Sequence, residues 1–162
     1  MKLATFILLM LTTFTLSAAG KFAFINSKVL LEQSPQAIAA NTELQKQFGE
    51  REQNLRNLAN SIKEMEKTYQ TDQAIMSDEQ KSKAEDNIVQ SKRRFQFEQQ
   101  SLKEDVQAKQ RELLQQVQSE IKAVIQAYGK AQGYDFIFTD TSIAFASDTV
   151  NITDEILKEL KK

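Results

Sequence analysis

Residues 55–88 read LRNLANSIKEMEKTYQTDQAIMSDEQKSKAEDNI, and this stretch decides the fold. Its first half places Leu55, Leu58, Ile62, Met65 and Tyr69 three and four residues apart, the spacing of an apolar seam on a helix. Ser77 with Gln80 three residues on makes a capping box, and Asp78 and Glu79 favour the positive end of a new helix. One helix therefore stops near Ile75-Met76 and a second starts at once. Two long helices joined by so few residues must run antiparallel.

Upstream, the seam continues through Phe48 and Leu44, with Arg51 and Asn41 in the remaining seam positions. Ser34-Pro35 starts this helix, a capping hydroxyl followed by a proline whose missing N–H costs nothing at the first position. Downstream, Ile88, Phe95, Leu102, Val106, Leu113, Val117, Ile121, Val124 and Tyr128 form the second seam. Gly133 fits the left-handed residue that ends the second helix near Gln132. Each helix has one narrow apolar stripe, and the two most simply cover each other. At 1.5 Å per residue the arm, residues 35–132, reaches about 60 Å.

Beyond the arm the period changes. Phe22–Asn26 reads as a short strand, and Lys28–Gln33 as a short helix. Residues 134–139 read as another strand, Asp140-Thr141 as a turn, and residues 142–146 as a returning strand. Thr153 caps a last helix with Ile152, Ile156, Leu157 and Leu160 on one face. The expected fold is mostly α with a small β part: a long antiparallel coiled-coil hairpin on a small β-rich oligomerisation body, built from residues 20–34 and 133–162. That body has only about fifty residues, too few to bury much core alone. Phe22, Phe24, Phe136, Phe138, Ile143 and Phe145 are the residues expected to join subunits.

Met1-Lys2, the apolar run Leu3–Leu16 and the small residues Ser17–Gly20 read as a secretory signal peptide, with cleavage after Ala19 or Gly20. The apolar run is shorter than the roughly 20 residues of a membrane span. The processed chain is expected to be exported across the inner membrane and to have no stable membrane insertion; the resemblance given below implies the periplasm.

Composition excludes several classes. The chain has no Cys, His or Trp among 162 residues. The usual general base, thiolate nucleophile and soft metal ligands are therefore missing. No glycine-rich phosphate loop exists. The net charge is −1, with Lys2 the one charge in residues 1–20, so no basic footprint for nucleic acid is present. No enzyme activity, no cofactor and no metal are expected. The carboxylate pairs Glu64/Glu66 and Glu85/Asp86 read as surface helix charge.

In layout, the chain resembles the Skp/OmpH family of periplasmic chaperones. The stretches that carry this are Phe22–Asn26 with Val29-Leu30-Leu31, Ser34-Pro35, Gly133–Phe138 and Asn151–Leu157. The resemblance implies a homotrimer whose hairpin arms enclose a cavity for unfolded outer-membrane proteins, an ATP-independent holdase. A structural coiled-coil or adaptor protein of the envelope is the alternative. The family's best-known members are strongly basic, whereas residues 62–94 here carry seven basic and seven acidic side chains.

Five residues are candidate client contacts: Tyr69 on the seam, Ile75 and Met76 at the tip, and Val89 and Phe97 beside the seam. Lys92, Arg93 and Arg94 form the one basic triplet, a weak candidate for an anionic group such as a lipid phosphate. A triplet on a helix spreads around its circumference, so a solvated face explains it first.

Overall fold

In the computed structural model, residues 20–140 and 143–162 are described; the signal-peptide reading lies outside them. The chain runs β1 (Phe22–Ile25), α1 (Ser27–Gln33), α2 (Pro35–Asp72), α3 (Asp78–Gln132), β2 (Phe136–Thr139), a 3-10 turn (Asp148–Val150) and α4 (Thr153–Glu159).

The start of α2 and both ends of α3 are set where the sequence placed them, while α2 stops at Asp72, a few residues before Ile75-Met76. Ser34 Oγ accepts from Ala37 N–H at 3.2 Å, and Pro35 is the first residue of α2. At α3, Ser77 Oγ accepts from Gln80 N–H while the Gln80 side chain accepts from Ser77 N–H at 2.9 Å. Gly133 ends α3 at φ 68°, a region that suits a residue without Cβ. The two helices are 38 and 55 residues long, about 57 and 82 Å at the standard rise.

Contacts across the hairpin show its direction. Arg51 meets Asp105, Glu66 meets Lys92, and Tyr69 meets Glu85, so one number falls as the other rises. Every apolar seam residue read from the sequence is buried or half-buried, while Asn41 and Arg51 in the polar seam positions are exposed. At one of these, Arg51 Nη1 donates to Asp105 Oδ2 at 2.7 Å. A charged pair here costs no burial because both side chains stay about half exposed.

The base is built around one cluster. Ala23, Ile25, Leu30, Ile152, Ile156, Leu157 and Leu160 pack with Ala37 from the start of α2 and Val117 and Ile121 from α3. The core of the base therefore extends into both long helices. β2 lies close on α3: a Cβ added to Gly129 would stand 3.0 Å from Ile137 Cδ1.

The sequence leaves the partner of β1 open: it pairs with β2 in parallel, Phe22 opposite Phe136 and Ile25 opposite Thr139. A parallel pair needs a long crossover, and the whole arm supplies it. The expected returning strand is absent: of its described part, residues 143–146 form no strand. The other edge of β1 is met instead by Asn151, in a single parallel bridge to Phe24. Alternating apolar residues over so few positions carry no information about strand direction, and Asn151 wins because α4 must dock its apolar face on the core. Thr153 has a different role from the one expected. Its hydroxyl accepts from Asn26 N–H at 2.9 Å and donates to Asn151 Oδ1, and so ties the entry of α1 to α4.

Candidate functional site

The alternation of β1 and β2 divides their side chains between two faces. Ala23 and Ile25 face the core and are almost fully buried. On the other face Phe22, Phe136 and Phe138 stack with centroids 5.8–6.3 Å apart. All three are exposed in the single chain. Phe24 and Ile143 are half-buried, and Phe145 is exposed on the irregular segment before the 3-10 turn. The expected subunit-joining residues thus lie at the base, with three brought together as an aromatic plate.

The arm distributes its apolar side chains differently. Ile75 at the turn is 87% exposed and Phe97 is 75% exposed, both free of the seam. Val89 is also exposed. Met76 is half-buried; with Met65, Tyr69 and Ile88 it lines a hollow of about 320 Å³ beside the tip. Tyr69 is half-buried in the seam, and its phenol donates to Glu85 across the hairpin. That bond holds the phenol pKa above its ordinary value, with burial and the Glu85 charge adding to it. Two exposed apolar residues escaped the sequence reading: Ile38 and Leu114, near the root of the arm. Their signal was the same as for Phe97, an apolar residue beside the seam rather than on it.

Two members of the basic triplet are paired within the arm. Lys92 pairs with Glu66 at 2.5 Å and Arg94 with Glu98 at 2.7 Å. Arg93 alone has no acid partner among the described residues. Local carboxylates therefore neutralise most of the triplet's charge.

At the base, Ser27 and Asp140 join the start of α1 to the end of β2. Ser27 N–H donates to Asp140 Oδ1 at 3.1 Å. Hydrogen bonding from the Ser27 side chain and backbone holds the Asp140 carboxyl below its ordinary pKa. Among the described residues no group of three or more acidic side chains could hold a metal ion, and no helix is long and apolar enough to cross a membrane.

The fold is that of an arm-bearing protein: a long helical hairpin with apolar side chains exposed along its flanks, standing on a small α/β base. More particularly, the chain belongs to the family described as "Outer membrane protein (OmpH-like)", whose sequence profile matches residues 21–160. Its relatives include the chaperone protein Skp of Pectobacterium atrosepticum, 24% identical over 91% of this chain and 89% of that one. A Skp-like protein of Pseudomonas aeruginosa is 24% identical over 90% and 86%. The fold matches that of a crystal structure from Caulobacter crescentus described as an outer membrane chaperone (OmpH-like). There the TM-score is 0.74 at 16% identity, covering 88% of this chain and 85% of the other. The family is one of chaperones, not of enzymes.

Proposed function

We propose that this protein is a periplasmic holdase, exported behind a cleaved leader, that keeps unfolded outer-membrane proteins from aggregating. The observation that carries the reading is the set of apolar side chains left exposed along the arm: Phe97 and Ile75 above all, with Val89, Ile38 and Leu114. A helix that buried these in its own hairpin would be more stable. Leaving them on the surface suits a protein that must offer weak apolar contacts to many chains. Met65 and Met76 beside the tip suit the same use, because unbranched thioethers adapt to irregular partners.

Three copies joined through the aromatic plate would place three arms around one client. Repeated weak engagement then holds it by avidity, without a nucleotide. The proposed division of the chain is a leader (1–19), an oligomerising body (20–34 and 133–162) and the arm (35–132). The likeness to Skp chaperones supports the reading, and the exposed plate on the base supports oligomerisation.

The test is an aggregation assay. A urea-unfolded outer-membrane barrel protein is diluted into buffer with and without this protein, and light scattering is followed. The reading expects suppression near stoichiometric amounts, without ATP. Suppression should weaken in Phe97→Ser combined with Ile75→Ser. Unimpeded aggregation in the presence of the parent protein would contradict it and favour a structural adaptor of the envelope.

A further inference from the structure

Lys21 is clamped by the turn between α3 and β2. Its backbone N–H donates to Asp135 Oδ2 at 2.6 Å. Its carbonyl accepts from the N–H groups of Asp135 at 2.9 Å and Phe136 at 3.4 Å. Its ammonium donates to the Gln132 carbonyl at 2.7 Å and stands 4.1 Å from the centre of the Tyr134 ring. Gly20 shares this contact zone: a Cβ there would lie 2.9 Å from the Phe22 ring and 3.3 Å from Asp135 Oδ2. The Asp135 carboxylate therefore sits against the first two residues of the base.

We infer that Asp135 is the receptor for the chain's own α-ammonium group, which comes into being when the leader is removed. The inference rests on the reading of residues 1–19 as a cleaved leader. A leader-cleaving peptidase breaks one peptide C–N bond with water. The hydroxyl goes to the leader's carbonyl carbon, and the nitrogen left on this chain becomes an amine that takes up a proton at neutral pH. If the cut follows Gly20, the nitrogen that gains the charge is the Lys21 nitrogen already bonded to Asp135. If it follows Ala19, the charge falls on Gly20. That nitrogen is two bonds from the Cβ position just described, hence within about 6 Å of the same carboxylate oxygen. A cut after Gly20 converts a neutral hydrogen bond into an ion pair, and a cut after Ala19 brings the new charge within the range at which opposite charges interact.

The location gives the pair its consequence. It joins the entry of β1 to the turn before β2, 114 residues away in sequence, at the one place where the parallel sheet begins. The titratable groups against this end are Asp135, the Lys21 ammonium, which is bound to the Gln132 carbonyl, and the Tyr134 ring beside that ammonium. The base is thus completed by processing, and an uncut chain lacks its terminal ion pair.

The experiment uses chain purified from the periplasm, with its mass giving the cut site. NMR titration of the α-amine is expected to find it well above the ordinary range of about 7.7–8.0, with at least a threefold change in its acid dissociation constant. Asp135→Asn should return it to that range. Separately, a neutral Gly-Ser extension ahead of Gly20 moves the ammonium away. It should lower the folding equilibrium constant by about two- to fivefold, and this loss should vanish in Asp135→Asn. An ordinary amine in a correctly cut chain, or an equal extension effect in both backgrounds, overturns the inference alone. A mass that retains the leader overturns the leader reading as well. If Asp135→Asn does not fold, the amine titration and the extension in the parent chain still decide.

Discussion

The base and the arm bury their apolar residues to different depths. In the base Ile156, Leu30 and Ser34 are sealed at 0–1% exposure, in a cluster fed by β1, α1, α2, α3 and α4. Along the arm beyond its root the buried side chains are Phe48, Ile62, Ile88 and Leu102, each contributed to a seam between two helices only. A residue in the base is held by neighbours distant in sequence, whereas one in the arm is held by the facing helix. The first arrangement gives cooperative stability and the second gives local opening. Function divides along the same line under the proposed reading: the base assembles, and the arm meets clients.

The largest expected effect strikes the base. Phe136→Ser with Phe138→Ser removes two rings of the exposed plate. If that plate is the subunit interface, each change costs about 3–5 kcal/mol of association. Light scattering should then report the single-chain mass, where the parent gives three times that. A parent that already scatters as one chain would end the trimer proposal. Next, Ile156→Ala should destabilise global unfolding by about 2–5 kcal/mol, since it leaves a cavity among fixed neighbours. Ile62→Ala in the arm should cost less in the same urea melt, because its surroundings can close on the gap. Equal losses would erase the distinction between the two regions.

Smaller effects sharpen the comparison. Asp140 has a lowered pKa in the folded chain, so it stabilises the base above the ordinary carboxylate range. That contribution is lost as pH falls through its folded pKa. Asp140→Asn should therefore weaken the base at pH 7, and the gap from the parent should close in acid. A gap that widens in acid would show the sign to be wrong. The arm should respond little to ions. Its tip is balanced in charge, and Lys92 and Arg94 are already paired. Raising salt from low to physiological should leave client dissociation constants within a few-fold, because little long-range attraction exists to screen. A hundredfold loss would point to Arg93 and its neighbours as a working basic patch.

Much of this division was legible in the sequence. The seam from Leu44 to Tyr69 and from Ile88 to Tyr128 could be read because helical spacing repeats over many turns, and each repeat reinforces the last. Ser34-Pro35, the Ser77/Gln80 box and Gly133 could be read because capping chemistry is local. The base was less legible. Four-residue strands show neither direction nor partner, so the parallel pairing of Phe22 with Phe136 and the bridge at Asn151 were missed. Thr153 was read as a local cap, but its hydroxyl bonds Asn26, which lies 127 residues away. For the candidate contacts, sequence distinguished residues on the seam from those beside it. It did not show that Tyr69 would be tied to Glu85, or that Ile38 and Leu114 would stand exposed. Those outcomes depend on how two helices face each other, which no single stripe records.

Native-state hydrogen exchange read residue by residue tests the central claim most directly. The account predicts fast exchange around residues 70–85, where the chain turns and contacts only itself. It predicts slow exchange in Phe22–Ile25 and Phe136–Phe138, where opening requires the base to unfold. Slow exchange at the tip with fast exchange in the paired strands would contradict it, and would place the stable core of this protein in the arm.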